Sequence, residues 1–340
     1  MMRAFEKAGG RSRLPLLAAL ATFLTAGCGS DSASPVALDP PDATSEIPGG
    51  APQAAVTYVG RPYGAVSLWL LNKPLGPLTP FTASTNYINA DTLILQINAA
   101  RAKGHRLVVA MTGGATDGYT TNGQFDLAKW KKVMNTYNKS TIKTAVAAAV
   151  TDGTLIGNQL IDEPETKRWG TVLTKAMIDQ MAVYAKTIFP TLPMGVNHGP
   201  PGYKWRATER YTKVDYVRYQ YDWYITSGNV GAWRTAVLAQ AAYDGVTPAL
   251  SMNVINGGTK DKGDGLYDCV GTGGLGTRYP NCKMTPDQIK TYGKALLPYG
   301  CFLMHWEYEP TFFAKSTNQA AFKEVATAAA ALPKKSCKRP

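Results

Sequence analysis

Two adjacent carboxylates at the end of an apolar run are the side chains of this sequence best placed to do chemistry. The run Leu160–Pro164 is typical of a buried strand, and it ends in Asp162 and Glu163. Removing a carboxylate from water costs free energy, so such a group has either a partner or a task. We predict that Glu163 is a general acid/base and that Asp162, on the other strand face, orients a neighbour or binds substrate. The structural alternative is that Glu163 caps the following helix or pairs with Arg168.

The ends of other predicted strands carry carboxylates, amides and aromatic rings. Aromatic faces stack on sugar rings, whereas amides and carboxylates hydrogen-bond hydroxyl groups. The combination predicts carbohydrate binding by the following side chains: Trp69, His198, Gln220, Tyr221, Asp222, Trp223, Asn253, His305, Trp306 and Glu309. The alternative for the aromatic residues is simple packing inside the fold.

A second carboxylate would allow the chain to perform both acid and base steps on a glycosidic bond. Glu307 follows the last predicted strand, and we predict it as that catalytic partner. Glu309 and Asp222 remain open for the same role. The alternative is that Glu307 and Glu309 are charges at the rim of the site.

The elements that must position these residues alternate along the chain. From about residue 55 onward, an amphipathic helix, a short apolar strand and a polar loop recur in turn. This order predicts parallel strands covered by helices. Seven strands are clear: Ala65–Leu71, Arg106–Met111, Leu155–Ile161, Met194–Val196, Tyr216–Tyr219, Ala249–Val254 and Cys301–Trp306. An eighth is expected within residues 115–150 or near Val56–Val59.

The pattern best fits an α/β fold, a single (β/α)8 TIM-type barrel over residues 55–335. A doubly wound open sheet is the alternative, although no Gly-rich phosphate loop follows the first strand. In such a barrel the active site lies where the strands end in loops, which would bring the candidate residues together.

The first 54 residues are predicted to lie outside the barrel. Residues 1–27 combine a basic start, a short apolar stretch and small residues before Cys28, as bacterial secretory signals do. We predict a lipoprotein signal, with Cys28 lipidated and the protein anchored at the cell envelope, periplasmic or on the surface; plain secretion is the alternative. Residues 28–54 are rich in Ser, Pro, Asp, Ala and Gly and are expected to form a flexible linker.

Charge and cysteine content narrow the function classes further. Removing residues 1–27 would lower the formal net charge from +12 to +9, and the remaining basic residues are scattered, so we expect no nucleic-acid partner. Four cysteines besides Cys28 suggest two disulfides in an exported domain, and we favour Cys269–Cys282 and Cys301–Cys337. No spacing resembles a zinc site, and we predict no metal and no cofactor.

The strand-end sequence Asp162–Pro164 resembles the Asn-Glu-Pro motif of clan A glycoside hydrolases, with Asp162 in place of the usual Asn. The resemblance implies that Glu163 is the acid/base. The clan's nucleophile is a Glu on the seventh strand, and Ala249–Ile255 contains no Glu.

A second resemblance is to glycoside hydrolase family 18. Met111–Gly114, Tyr221–Asp222 and Trp306 look like the strand-end motifs of that family. Both resemblances span most of residues 60–310 at the level of the fold, and their motifs are short. They imply a glycosidase-like barrel.

Two functions from different classes follow. The first is an exported, lipid-anchored glycoside hydrolase that acts on a poly- or oligosaccharide with Glu163 as general acid/base. The second is a non-catalytic glycan-binding surface lipoprotein on the same barrel. A third possibility is that the barrel is only the scaffold of a surface protein, because a fold does not fix a function.

Overall fold

A computed structural model of the chain describes residues 57–68, 80–112, 117–170, 173–200, 202–223, 228–255, 257–258, 269–272 and 280–340. The predicted signal segment, the lipidation site Cys28 and the linker to residue 54 lie outside these residues, as does Trp69. Within the described part of the chain, no helix is both long and apolar enough to cross a membrane.

Eight parallel strands close into a barrel, as the sequence predicted. In chain order β1 to β8 are Tyr63–Val66, Ala83–Tyr87, Arg106–Ala110, Leu155–Asp162, Met194–His198, Tyr216–Tyr221, Thr247–Asn253 and Leu303–Trp306. Each strand pairs with its sequence neighbours, and β1 pairs with β8 to close the barrel. All eight carboxyl ends therefore meet at one end of the barrel.

Helices cover the outside of the barrel. In chain order α1 to α8 are Leu93–Ala102, Leu127–Asn135, Ser140–Asp152, Lys175–Ile188, Val230–Asp244, Pro286–Leu296, Pro310–Ala314 and Ser316–Ala331. Their ends follow local chemistry. The side chain of Asp126 caps α2, a Thr285–Gln288 capping box starts α6, and Gly245 ends α5 at φ 63°.

The missing eighth strand is β2, Ala83–Tyr87, and not one of the two segments that the sequence suggested. Residues 115–150 instead hold α2, most of α3 and a short hairpin, Thr120–Thr121 with Gln124–Phe125. Strand β2 carries Ser84, Thr85 and Asn86, all buried. Its polar sequence hides it from a search for apolar strands.

The ring of Tyr216, the first residue of β6, fills the amino-terminal end of the barrel interior, which we call the floor. A Cβ atom on Gly195 would lie 2.2 Å from that ring, and one on Gly157 would lie 2.7 Å from its hydroxyl. The two glycines on β4 and β5 therefore make room for an aromatic ring that belongs to β6. The ring of Phe302 meets that of Tyr216 edge-on at 5.6 Å.

The predicted disulfide between Cys301 and Cys337 is present and ties the C-terminal tail to the start of β8. Cys282 is also disulfide-bonded. In a second antiparallel hairpin, Cys269–Thr272 with Pro280–Cys282, the backbone of Cys269 lies opposite that of Cys282. The Cys269–Cys282 pairing stays a prediction, because the side chain of Cys269 lies outside the described part of the structure.

Candidate active site

The carboxyl end of β4 holds Glu163 in place through an irregularity in the strand pairing. Gln159 lies opposite Gly195, but Asp162 lies opposite Asn197, so β4 has one more residue than β5 over this stretch. An extra residue of this kind re-aims the side chains that follow it. The directions of the Asp162 and Glu163 side chains therefore do not follow from simple alternation along β4.

Glu163 has a backbone conformation that is uncommon for its residue type. Its φ is 45°, in the left-handed region, where a non-glycine residue stores of order 1–3 kcal/mol. Its N–H donates to the carbonyl of Asn197 at 2.8 Å, and its carbonyl accepts from the N–H of Thr166 at 3.0 Å and from the hydroxyl at 2.8 Å. The surroundings thus hold the strained residue at the strand end.

Burial raises the pKa of the Glu163 carboxyl to about 7, and the negative charges of Asp162 and Glu165 act in the same direction. Arg168 and Arg218 oppose the shift. Gln220 donates from Nε2 to Oε1 of Glu163 at 3.4 Å. A half-buried carboxyl with this pKa is partly protonated near neutral pH, as a general acid must be.

Asp162 is the residue that pairs with Arg168. Its Oδ2 lies 2.9 Å from Nη1 of Arg168, and its Oδ1 accepts from Asn197 at 2.5 Å and from Gln159 at 3.2 Å. The side chain is buried. Arg168, the alternative partner for Glu163, therefore forms its ion pair with Asp162 instead. Asp162 is a buried residue that supports the site.

Glu165 is a carboxylate of this site that the sequence reasoning missed. A Cβ atom on Gly199 would lie 3.0 Å from Oε1 of both Glu163 and Glu165, so these two oxygens are at most about 6 Å apart. At this separation the charge of Glu165 raises the pKa of Glu163. Oε1 of Glu165 accepts from the Gly199 N–H, and Oε2 lies 3.0 Å from Nδ1 of His198.

His198 belongs to this support and does not line the barrel interior. Its ring lies parallel to that of Tyr219 at 6.0 Å, and its Nε2 lies 3.0 Å from the hydroxyl of Tyr211. Burial raises the pKa of Tyr211, which keeps its proton and can donate it to Nε2. His198 then donates from Nδ1 to Glu165, so the imidazole positions that carboxylate. The predicted substrate contact of His198 is not what this buried placement provides.

Strand β6 contributes an inward-facing arginine that we also missed. Arg218 is fully buried and donates from Nε to Oδ1 of Asn197 at 2.6 Å. It shares a strand face with Gln220, the predicted residue that contacts Glu163. A chain of contacts therefore runs from Arg218 through Asn197 to Asp162 beneath Glu163.

The ends of β7 and β8 bring further predicted residues to the same end of the barrel. Asn253 donates from Nδ2 to Oδ2 of Asp222 at 2.9 Å. Glu307 accepts at Oε2 from the hydroxyl of Ser67 at 3.1 Å. Trp306 is partly buried and packs against the hydrophobic cluster that includes Tyr216 and Phe302. These residues remain candidates for substrate contact, and Glu307 for the second carboxylate.

Besides His198, three predicted contact residues lie away from the barrel interior. Tyr221 is fully buried and meets the rings of Trp233 on α5 and Tyr292 on α6 edge-on. His305 is fully buried against Tyr63, which lies 2.6 Å from its Nε2, and burial lowers its pKa to about 3. Both side chains pack between the barrel and its helices, so the predicted sugar contact is wrong for them.

Glu309 is the third of these residues. Its carboxylate caps α7, accepting from the N–H groups of Thr311 at 3.2 Å and Phe312 at 2.7 Å, and Nζ of Lys283 lies 3.5 Å away. These partners give Glu309 a structural role as a helix cap, whereas the sequence suggested a substrate contact, a second carboxylate or a charge at the rim. Trp223 lies just after the end of β6 and is partly buried, and its backbone N–H donates to the carbonyl of Gly257 at 2.9 Å.

The sequence contained signals for the residues that we missed. Glu165 follows Glu163 by two positions in the same strand-end loop, and Arg218 precedes Gln220 by two positions in one strand. Residues two apart share a strand face, so alternation alone marks Arg218 as inward-facing once Gln220 is placed there.

Comparisons with known proteins agree with this architecture. No protein-family model and no curated protein matches the chain. Among solved structures, a GH39 β-xylosidase from Caulobacter crescentus is similar with a TM-score of 0.52 and 12% identity, over 79% of this chain and 71% of that one. A candidate glycoside hydrolase from Parabacteroides distasonis has a TM-score of 0.51 and 9% identity, over 82% of this chain and 96% of that one. The chain therefore shares its barrel fold with glycoside hydrolases. The resemblance to family 18 stays a prediction.

Proposed function

We propose that the protein is an exported, lipid-anchored glycoside hydrolase that acts on a poly- or oligosaccharide with Glu163 as its general acid/base. The observation that carries the proposal is the placement of Glu163. It lies at the carboxyl end of a barrel strand, half-buried, with a pKa of about 7. The glycoside hydrolase fold of the structural neighbours supports the same reading, although fold alone does not fix a reaction.

The geometry around Glu163 suits proton donation to a leaving oxygen. A protonated Glu163 donates to the glycosidic oxygen as the bond from that oxygen to the sugar carbon breaks. Where the second carboxylate bonds covalently to the sugar carbon, the Glu163 carboxylate then takes a proton from the water that breaks this bond. Where the second carboxylate is the base, it takes the proton from the water that attacks the sugar carbon directly. Gln220 contacts Oε1 and orients the carboxyl group. Glu165 remains bound to His198 and to the Gly199 N–H, where it favours the protonated form of Glu163.

Glu307 is our candidate for the second carboxylate. It follows β8 and is partly exposed, and the hydroxyl of Ser67 holds one of its oxygens. Ser67 itself has φ 61°, a second strained residue at the same end of the barrel. In this proposal Glu307 acts as nucleophile or as base for a water, and its separation from Glu163 across a bound sugar decides the stereochemical outcome.

One observation favours the non-catalytic alternative. Strand β7 ends at Asn253, and the next described residues, Val254 and Ile255, carry no carboxylate. A barrel that resembles clan A glycosidases but lacks the acid of this strand could bind a glycan without cleaving it. The aromatic and amide side chains at the barrel mouth would serve either function.

A screen for hydrolysis and binding separates the two. The purified protein, the Glu163→Gln variant and a matched surface variant, Glu324→Gln, are incubated with a panel of polysaccharides. Release of reducing ends by the wild type and by Glu324→Gln, but not by Glu163→Gln, supports the hydrolase. Retention on a polysaccharide without release by any protein supports the glycan-binding alternative, and neither result on any member of the panel contradicts both.

A further inference from the structure

The C-terminal tail forms a basic cap on the end of the barrel opposite the candidate active site. The Cys301–Cys337 disulfide joins it to the start of β8. Arg339 donates to the carbonyls of Val214 at 2.8 Å, Tyr211 at 2.9 Å and Asp244 at 2.8 Å. The tail is therefore a fixed part of the fold, although most of its side chains are exposed.

A cavity of about 290 Å³ lies between this tail and the barrel. It is lined by Pro62, Leu155, Pro193 and Cys301, which stand at or just before the starts of strands, so it opens at the amino-terminal end. Its polar lining consists of Tyr58, Arg106, Lys334, Lys335, Ser336 and Lys338. Among the described residues, no Asp or Glu lines it.

The cations around the cavity have only neutral partners. Arg106 is buried and donates from Nη1 and Nη2 to the carbonyls of Gly60 at 3.0 Å and Val59 at 2.9 Å. Its Nε is buried and has no hydrogen-bond partner among the described residues. Lys335 donates to the carbonyl of Tyr299 at 2.7 Å.

Arg61 completes the group and bonds the carbonyls of Pro333 at 3.2 Å, Pro298 at 3.5 Å and Gly300. Burial lowers the pKa of Lys335, and the charge of Arg61 lowers it further. Like charges gathered in a partly desolvated place without a counter-charge are costly, and a bound anion would offset that cost.

Two acidic residues beside the cavity, Asp215, which contacts the tail, and Asp152, next to the lining residue Gly153, do not supply that counter-charge. Asp215, which precedes β6, is engaged by Nζ of Lys186 at 2.8 Å and by the N–H of Arg339. Asp152, at the end of α3, lies 2.7 Å from Nη2 of Arg101. Each of these two acids already pairs with another basic residue, so a bound anion would have to supply the counter-charge for the cations of the cavity.

We propose that this cavity is a binding site for a phosphate group, held by Lys334, Lys338 and Arg106. A phosphate brings up to two negative charges and several acceptor oxygens, which suit two ammonium groups and the hydroxyl of Ser336. The guanidinium of Arg106 in the cavity wall adds its positive charge. The phosphate can belong to a free anion or to an anionic lipid headgroup. The site does not depend on the proposed glycosidase activity, because it lies at the other end of the barrel.

Two arms of one experiment test the site and distinguish its source. The full chain with Cys28→Ala is used throughout, so that no acyl chain drives membrane binding. Calorimetry follows titration with inorganic phosphate, with chloride at matched ionic strength as reference. Cosedimentation follows binding to phosphatidylcholine vesicles with and without phosphatidylglycerol. The variant Lys334→Gln/Lys338→Gln removes two exposed ammonium groups that make no ion pair among the described residues.

The matched control is Lys132→Gln/Lys143→Gln, which lowers the net charge equally on exposed faces of α2 and α3. We expect saturable binding of phosphate, of phosphatidylglycerol vesicles, or of both, weakened at least tenfold by the tail variant and unchanged in the control. Binding of phosphate alone identifies a free anion, and binding of vesicles alone identifies a headgroup. The proposal is overturned if neither ligand binds, or if the two variants weaken binding equally.

Discussion

At Glu163, burial and two neighbouring carboxylates all favour the protonated form. The position of Glu165 is what makes this arrangement durable. It is fixed by His198 and by a backbone N–H, so its charge stays close to Glu163 whatever occupies the barrel mouth. The catalytic proton in our proposal therefore depends on a carboxylate that need not touch substrate.

Replacing Glu165 by Gln should change the pH dependence of the proposed reaction. Loss of the Glu165 charge lowers the pKa of Glu163, so the acid form disappears at lower pH. We expect the alkaline limb of the kcat/KM profile to move to lower pH. Relative to wild type, kcat/KM should fall by a factor at pH 8 that is at least about three times the factor at pH 5.5. The conservative variant Glu165→Asp keeps the charge, so its alkaline limb should stay at the pH of the wild type. An unchanged limb in Glu165→Gln would remove Glu165 from this role.

Replacing Glu163 by Gln should stabilise the fold at high pH and not at low pH. The folded-state pKa of about 7 lies above the ordinary value of 4.5, so the wild type loses stability as pH rises between these values. At pH 8 we expect Glu163→Gln to raise the free energy of unfolding by on the order of 1–3 kcal/mol relative to wild type. At pH 4 the difference should vanish. Urea unfolding at both pH values measures it, and equal effects at the two would contradict the raised pKa.

At the residue scale, the position of a side chain could be predicted only where the sequence shows where a strand ends or which face of the strand the residue occupies. Glu163 was found because a proline and two acids mark the strand end. Tyr221 and His305 were misplaced because the choice between the two faces of a strand depends on the register, which only the pairing fixes. The extra residue in β4 changes that phase without any local sequence signal.

At the scale of elements, β4, β5 and β6 act together through the ring of Tyr216. That ring fills the barrel floor against two glycines, and the same three strands carry Glu163, His198 and Gln220 at their other ends. The floor therefore sets the spacing of the strands that position the acid. The six predicted strands after the first were located within a few residues because they are apolar. Strand β2 was missed because its residues are polar and buried.

Gly195→Ala should destabilise the barrel, because its Cβ atom would lie 2.2 Å from the Tyr216 ring. Overpacking of this kind costs about 1–3 kcal/mol. The control is Gly231→Ala in the first turn of α5, where the nearest atom would be 3.6 Å away, so the added methyl group fits and we expect no destabilisation. Urea unfolding of both variants measures the effect. A Gly195→Ala protein as stable as wild type would show that the floor can yield.

At the scale of the molecule, the barrel was predictable because helices and strands alternate over nearly 300 residues, roughly the length that one such barrel needs. Its two ends differ in chemistry. The carboxyl end gathers acids, amides and aromatic rings, whereas the amino end gathers lysines and arginines around a cavity. The second feature was not predictable, because the scattered basic residues come together only through the C-terminal tail.

The proposed anchoring has its own test. The lipoprotein-like end of the signal segment predicts that Cys28 carries the lipid, so Cys28→Ala should move the protein from the membrane fraction to the soluble fraction. Immunoblots of fractionated cells compare the variant with wild type and with a distant substitution, Glu324→Gln. Partitioning that does not change would show that Cys28 is not the anchor.

The most direct test of the central claim is the turnover of Glu163→Gln on a polysaccharide that the wild type cleaves. The amide keeps the shape of the side chain but cannot deliver a proton. We expect kcat to fall about 100-fold or more, while the affinity for the polysaccharide changes by less than about threefold. The melting temperature, measured on the same sample, shows that the variant is folded. Unchanged turnover in a folded Glu163→Gln protein would contradict the account, because the proposed acid would then play no part in the reaction.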